Sequence, residues 1–178
     1  IFFMGTPEFA VPTLDILNKN YNVIGIFTQP PRPSGRGMKE MKSLIQLYSE
    51  KNKLNFYTPN NLKNDETLGL LKSLNPDLIV VVAYGLLIPE VILKIPSYGC
   101  INGHASLLPK WRGASPIQRA IEAGDKKTGC TSMLMEKGID TGPMIHKKEI
   151  LIKMDNDVID IFKSLSLLTA ECLNETIQ

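Results

Sequence analysis

Over the first half of the chain, the spacing of apolar residues switches repeatedly between a strand pattern and a helix pattern. Short continuous apolar runs predict strands, whereas apolar residues three or four positions apart predict amphipathic helices. The strongest run, 77–83, is rich in β-branched residues and predicts a strand that is buried on both faces of a parallel sheet. The elements predicted here are strands at 1–4, 21–28 and 77–83 and helices at 9–17, 41–51 and 65–74, the last of them capped by Asn64.

The second half of the chain continues this pattern. It predicts a short helix at 89–93, a strand at 99–104, a helix at 116–122, strands at 128–135 and 144–152, and a helix at 158–178. The last two strands are predicted to pair antiparallel. We therefore expect one α/β domain, 1–178, with a doubly wound, mostly parallel, Rossmann-like sheet, in which ligands bind beyond the carboxyl ends of the strands.

Composition narrows the function classes. The net charge of +2 is too small to indicate a general nucleic-acid binder, so any such contact must be local. Because no apolar run approaches the length of a membrane span and no signal-peptide pattern opens the chain, we expect a cytoplasmic protein. Cys100, Cys130 and Cys172 are odd in number and far apart, which favours free thiols, and without a Cys-x-x-Cys spacing we expect no metal site.

Both ends of the chain predict a truncated domain. Ile1 stands inside the first apolar run, and no initiator Met precedes it. The helical pattern of 158–178 reaches the last residue without a Gly stop signal.

The turn after the first strand, 5–9, stands where a dinucleotide-binding fold holds its phosphate loop. It lacks the second and third glycines of that motif and carries Glu8 where backbone amides should meet a pyrophosphate. A dinucleotide site is therefore disfavoured, and the plainer interpretation is a tight turn between strand and helix.

Two later segments are candidates for chemistry. Asn102 and His104 are two positions apart on a predicted strand, so they should point into the same space, although a lone histidine is more often part of a core. Asp140 stands between Gly138 and Gly142, which lets the backbone bend sharply and present an acid to a ligand. The alternative is an Asx turn between two strands.

A Pro/Gly/Arg-rich loop, 29–39, is inserted after the second strand. Its cations, Arg32, Arg36 and Lys39, would suit contacts with a phosphate backbone. A solvated loop explains the composition equally well.

Together these segments resemble the methionyl-tRNA formyltransferases, a branch of the folate-dependent formyltransferase superfamily, over essentially the whole chain. The Asn, His, Ser-Leu-Leu-Pro and Asp-x-Gly elements are similar to the wider superfamily, while the others are similar to the tRNA-directed branch. The segments that carry the resemblance are 5–10, 28–30, 32–37, 82–85, 102–109, 111–114 and 140–142.

The resemblance implies a reaction and its residues. An amine of methionyl initiator tRNA takes the formyl group of 10-formyltetrahydrofolate without a metal; Asn102 and His104 stabilise the oxygen that gains charge, and Asp140 orients His104 or a water and assists proton transfer. Arg32, Arg36 and Lys39 would contact the tRNA. The residues implied for folate are Tyr84, Gly85, Leu86, Leu87, Ile88, Ser106, Leu107, Leu108 and Pro109.

The resemblance also implies what surrounds this domain. The family carries a further C-terminal β domain that helps to bind tRNA and is absent from this chain, and we expect a monomer. Pro31 and Met38 stand where the family has an acid and a lysine, which predicts weaker RNA binding. Two alternatives stay open, namely a formyltransferase that acts on a nucleotide-linked amine and a noncatalytic folate- or RNA-binding domain.

Overall fold

The computed structural model describes residues 1–34, 39–153 and 155–178, which form nine strands and six α-helices. The strands are β1 (Phe2–Gly5), β2 (Gly25–Phe27), β3 (Arg32–Ser34), β4 (Lys39–Met41), β5 (Phe56–Tyr57), β6 (Ile79–Val82), β7 (Cys100–His104), β8 (Lys127–Leu134) and β9 (Met144–Leu151). The helices are α1 (Val11–Asn20), α2 (Leu44–Lys51), α3 (Asp65–Leu74), α4 (Glu90–Leu93), α5 (Pro116–Glu122) and α6 (Val158–Ile177). A short 3₁₀ turn, Glu8–Ala10, precedes α1.

Seven strands form one sheet in the order β5-β2-β1-β6-β7-β8-β9. The first five strands in that order are parallel, and β7, β8 and β9 pair antiparallel. This is the mostly parallel α/β sheet that the sequence predicts, and the predicted antiparallel pairing of the last two strands is confirmed.

The alternation of side chains along the central strands sends neighbours into two different cores. Phe3 and Val80 enter a cluster with residues of α1 and α6, whereas Phe2 and Ile79 enter a cluster with residues of α3 and α4. All four side chains are fully buried. Burial of each such side chain contributes about 1.5–3 kcal/mol, so the two helix layers hold the central strands in place.

Helix bounds follow the capping residues. Asn64 accepts a hydrogen bond from the Thr67 amide, which confirms the predicted cap of α3. At α2 the Ser43 side chain caps the helix, so the helix begins at Leu44 and not at Met41, as the apolar spacing predicted. None of the helices in the described parts of the chain combines the length and the hydropathy that crossing a membrane requires.

The inserted basic loop was expected to be irregular, and this prediction is corrected in part. β3 and β4 form an antiparallel hairpin in which Arg32 lies opposite Met41. Strands of three residues are too short to show an alternating pattern, and the same is true of β5 with two residues.

The long helix α6 packs against β7, β8 and β9. Its first turn carries a capping box between Asp157 and Asp160. A Cβ atom added at Gly103 would lie 2.7 Å from Thr169 Cγ2 and 2.8 Å from Leu173 Cδ1, both on α6. Gly103 thus allows the close approach of this helix to the strand.

We expect Gly103→Ala to lower the free energy of unfolding by about 1–3 kcal/mol, because the added methyl group overpacks this contact. The matched control is Gly69→Ala in α3, where no atom lies within 4 Å of the added Cβ. Since alanine is the better helix former, that control should gain about 0.5–1 kcal/mol. Chemical denaturation measures both; equal stability of the two variants would contradict the close packing at β7.

Candidate functional site

A cavity of about 530 Å³ opens at the carboxyl ends of β1, β6 and β7, a volume within the range of small-molecule sites. Its walls come from the loops that follow these strands, from the beginning of α5 and from the turn between β8 and β9. Apolar side chains form much of the wall, among them Val81, Ile88, Met135 and Ile139. The cavity therefore lies at the edge of the sheet where the sequence predicted ligand binding.

Three polar side chains that the sequence predicted as a site meet on this wall. Asn102 and His104, two positions apart on β7, both line the cavity, as does Asp140. Asn102 Nδ2 donates to Asp140 Oδ1 over 3.5 Å, and His104 Nδ1 lies 3.5 Å from Asp140 Oδ2. These long distances indicate weak contacts, since a strong hydrogen bond is nearer 2.9 Å, and they leave the Asn102 amide free to turn toward a ligand.

The turn 111–113 supplies backbone partners to two of these side chains. The Gly113 amide donates to Asp140 Oδ2 over 2.8 Å. His104 Nε2 lies 2.8 Å from the Trp111 carbonyl oxygen, and because a carbonyl only accepts, Nε2 carries the hydrogen. His104 Nδ1 therefore faces Asp140, and in the imidazolium form it donates in that direction.

Asp140 lies in the left-handed region with φ of 51°, a conformation that aspartate adopts more readily than most residues. Within the described residues, its carboxylate contacts Asn102, His104 and Gly113, which are all at least 27 positions away in the sequence. An Asx turn would instead bond to the next residues of its own turn. The long-range contacts therefore favour the functional interpretation of Asp140 over a local turn.

The loop after β6 is anchored to residues that follow the ends of β1 and β2. The Tyr84 carbonyl accepts hydrogen bonds from Thr6 Oγ1 and from Gln29 Nε2, each over 2.8 Å. The backbone N–H of Gln29 also donates to Thr6 Oγ1 over 3.3 Å. Both lone pairs of the Tyr84 carbonyl are therefore used by donors from other segments. These bonds hold this wall of the cavity in place.

Of the residues that the resemblance implied for folate in this loop, four line the cavity and one does not. Tyr84, Gly85, Leu86 and Ile88 are on the wall, while Leu87 is 74% exposed and lies outside it. Burial raises the pKa of the Tyr84 hydroxyl to about 12, so this group stays protonated at neutral pH.

The Ser-Leu-Leu-Pro segment was also implied for folate, but none of its four residues lines this cavity. Ser106 Oγ donates to the Lys110 carbonyl over 2.6 Å, and the Leu108 amide donates to Thr131 Oγ1 over 3.0 Å. Leu107 lines a smaller cavity, and Pro109 is exposed. The segment turns back onto β8, where it supports the turn that follows it.

Two of the three residues implied for tRNA lie on the strands β3 and β4. Arg32 is exposed on β3, and Lys39 begins β4. Arg36 lies outside the described residues.

Four groups of the site were not predicted from the sequence: Thr6, Gln29, the Trp111 carbonyl and the Gly113 amide. Thr6 and Gln29 follow the ends of two adjacent parallel strands, and this position could have marked them as site residues, because ligands bind beyond such strand ends. Backbone groups carry no side-chain signature, so nothing in the sequence marked the other two. In the described parts of the chain, no three His, Cys, Asp or Glu side chains are placed to hold a metal ion.

The sequence is similar to that of known proteins over nearly the full length of the chain. Residues 1–177 match the family described as formyl transferase. A methionyl-tRNA formyltransferase of Caldanaerobacter subterraneus subsp. tengcongensis is 49% identical over an alignment of 180 positions that covers 100% of this chain and 58% of that protein. One of Alkaliphilus metalliredigens is 48% identical over 178 residues, 99% of this chain and 57% of that protein.

The solved structures agree on the fold. A phosphoribosylglycinamide formyltransferase of Streptococcus pneumoniae has a TM-score of 0.82 at 16% identity, over 99% of this chain and 96% of that chain. At so low an identity, the likeness shows the fold alone. The chain spans less than two thirds of the length of the curated relatives named above.

We expect Gly85→Ala to destabilise the protein and to weaken ligand binding in the cavity. The added Cβ would collide with Gln29 Nε2 and break its bond to the Tyr84 carbonyl, and φ of +85° disfavours alanine as well. The expected loss is about 1–2 kcal/mol for the backbone and a further 1–3 kcal/mol for the collision.

Gly124→Ala is the matched control, because its φ is +67° and no atom lies within 4 Å of the added Cβ. It should show the backbone loss only. Thermal unfolding and binding of a reduced folate measure both effects; equal losses in the two variants would show that the Gln29 anchor is unimportant.

Proposed function

The chain belongs to the formyl transferase family, and from this premise we propose that it transfers a formyl group from 10-formyltetrahydrofolate to the α-amino group of methionyl initiator tRNA, in support of translation initiation. The observation that carries the proposal is the meeting of Asn102, His104 and Asp140 on the wall of one cavity. The curated relatives that match the full chain are named for this activity.

Asn102 and His104 are proposed to stabilise charge. The donor supplies a formyl carbon, and when the amine adds to it, the carbonyl oxygen becomes negative. Asn102 Nδ2 has a hydrogen to offer this oxygen, and its 3.5 Å contact with Asp140 is weak enough to exchange. His104 in the imidazolium form offers Nδ1–H from the same wall. Loss of one such donor costs about 10²–10³ in kcat in comparable sites.

Asp140 is proposed to move the proton that the attacking amine loses. Its Oδ2 stays fixed by the Gly113 amide, while Oδ1 faces the weakly held Asn102. A carboxylate placed beside the amine can accept the proton and pass it to the nitrogen that leaves the formyl carbon. By the same contacts, Asp140 orients the His104 ring.

The cavity suits the flat, polar-edged pteridine of the donor. Leu86, Ile88 and Ile139 provide apolar walls on the two loops that enclose it, and the volume of about 530 Å³ is sufficient for a bicyclic ring. We propose that Tyr84, Gly85, Leu86 and Ile88 contact the ring. Leu87 and the segment 106–109 are proposed to support the binding site from outside the cavity.

The acceptor is proposed to be an aminoacyl ester on RNA. In the described parts of the chain, no Lys or Arg lines the cavity, whereas a small phosphorylated amine would need a cation beside it. We propose that the phosphates of the tRNA are contacted outside the cavity by Arg32, Arg36 and Lys39. The domain is proposed to act as a monomer, in the cytoplasm. A nucleotide-linked amine is the second candidate, in keeping with the names of the solved structures of the same fold.

We expect Asn102→Ala to lower formyl transfer about 10²–10³-fold and Asp140→Asn to lower it about 10²–10⁴-fold. Labelled formyl transfer from 10-formyltetrahydrofolate to methionyl initiator tRNA measures this in the chain itself. A chimera in which the chain replaces the matching part of the Caldanaerobacter relative should be assayed as well.

Asn174→Ala is the matched control, since that asparagine bonds to Asn20 at the surface. It should retain activity. If the wild-type chimera formylates a nucleotide-linked amine but not methionyl-tRNA, the acceptor proposed here is wrong. If both substitutions leave transfer unchanged, the proposed site is wrong.

We expect Arg32→Ala and Lys39→Ala to raise KM for the tRNA more than they lower kcat. Each lost phosphate contact should reduce the slope of log affinity against log salt by about 0.7–0.9. Lys72→Ala, at an exposed position of α3, is the control. An unchanged salt slope in both hairpin variants would argue for a solvated loop.

A further inference from the structure

We propose that Asp125 is a positioning residue for His104. By binding the side chains of Lys110 and Trp111, it fixes the Trp111 carbonyl, which is hydrogen-bonded to the His104 imidazole. The proposal rests on the proposed function, because it concerns the same reaction. Asp125 itself does not line the large cavity. It therefore acts through the turn and not on a substrate.

The Asp125 carboxylate binds two consecutive side chains, one with each oxygen. Lys110 Nζ lies 2.5 Å from Oδ1, and Trp111 Nε1 donates to Oδ2 over 2.8 Å. Lys110 Nζ also lies 5.2 Å from the centre of the Trp111 ring, within the range of a cation–π contact. Each of the three residues thus contacts the other two, and we call this group the Asp125 clamp.

The clamp acts on a backbone conformation that needs support. Trp111 has φ of +61°, in the left-handed region that is unfavourable for a bulky L-residue. Such a conformation persists only where the surroundings hold it. The indole bond to Asp125 is a side-chain contact that holds Trp111 in this conformation, and it comes from a separate segment of the chain.

The conformation of Trp111 decides where its carbonyl points. That carbonyl lies 2.8 Å from His104 Nε2, and two residues later the Gly113 amide donates to Asp140. If Trp111 relaxed to a negative φ, the peptide planes on both sides would rotate. Both proposed reacting side chains would then lose their backbone partners.

Asp125 is well placed to act as an anchor. It lies between α5 and β8, and its amide donates to the Ala120 carbonyl over 3.0 Å. Lys110 and Trp111 hold the pKa of its carboxyl below the usual range, so the clamp is charged at neutral pH. The Asp125 side chain is 14% exposed, which is less than the exposure of the acidic side chains in the surface ion pairs.

The first test is kinetic and uses the chimera in which transfer is assayed. Asp125→Ala and Trp111→Phe should each lower kcat on the order of tenfold to hundredfold, the effect of a small misplacement, with KM for the folate donor changed by less than about twofold. The double variant should have about the same kcat as the slower single variant, because both substitutions break the same contact between Trp111 and Asp125. Asp125→Asn keeps an acceptor for the indole and should stay within about threefold of wild type.

The second test reads His104 directly and does not depend on activity. The chain has two histidines, so nitrogen-15 labelling of histidine gives ring-nitrogen signals from two imidazoles, and those of His146 serve as the internal reference. Asp125→Ala should shift the His104 Nε2–H signal and speed its exchange with water. Glu149→Gln, which breaks the exposed pair with Lys127, is the control and should change neither kcat nor the His104 signal.

Wild-type kcat together with an unchanged His104 signal in Asp125→Ala would overturn the proposal, as would additive losses in the double variant. If the wild-type chimera transfers no formyl group to any amine, the proposed function fails on its own. The imidazole signal then still decides the clamp: a shift in Asp125→Ala supports it, and an unchanged signal overturns it.

Discussion

Burial of β1 and β6 on both faces is the constraint on which the rest of this molecule depends. Because successive side chains such as Phe2 and Phe3 enter opposite cores, these strands can reach a ligand only near their carboxyl ends, where Val81 of β6 contributes to the cavity wall. Helices must cover both sides of the sheet, and polar groups can be presented only where the strands end. The cavity accordingly lies at the carboxyl ends of β1, β6 and β7, and its polar groups come from the last residues of β7 and from loops.

Backbone strain in the described residues is concentrated around this edge. Six non-glycine residues have positive φ, and three of them, Ala83, Ser115 and Asp140, line the cavity. A fourth, Trp111, presents its carbonyl to His104. The rigid strands below and the long-range hydrogen bonds around the cavity can support these conformations.

Much of the site consists of groups that hold other groups. Thr6 and Gln29 fix the Tyr84 carbonyl, and Gly113 fixes the Asp140 carboxylate. These bonds join segments that are far apart in the sequence, so they form only when the sheet has brought the strand ends together. The fold is shared with a solved structure at 16% identity, which fits a sheet that depends on apolar alternation more than on particular residues.

The sequence by itself determined the order and type of most elements, the mostly parallel sheet, and the position of Asn102 and His104 on the same side of one strand. Apolar periodicity, capping and the two-residue repeat of a strand are local properties, so they can be read without the fold. The short strands β3, β4 and β5 carry too few residues for such a pattern. Only the tertiary structure decided that Asp140 reaches this pair, that the segment 106–109 lies outside the cavity, and that backbone groups of Trp111 and Gly113 complete the site. Those contacts join segments that are distant in the sequence, and two of them use main-chain atoms, which every residue possesses and no sequence pattern marks.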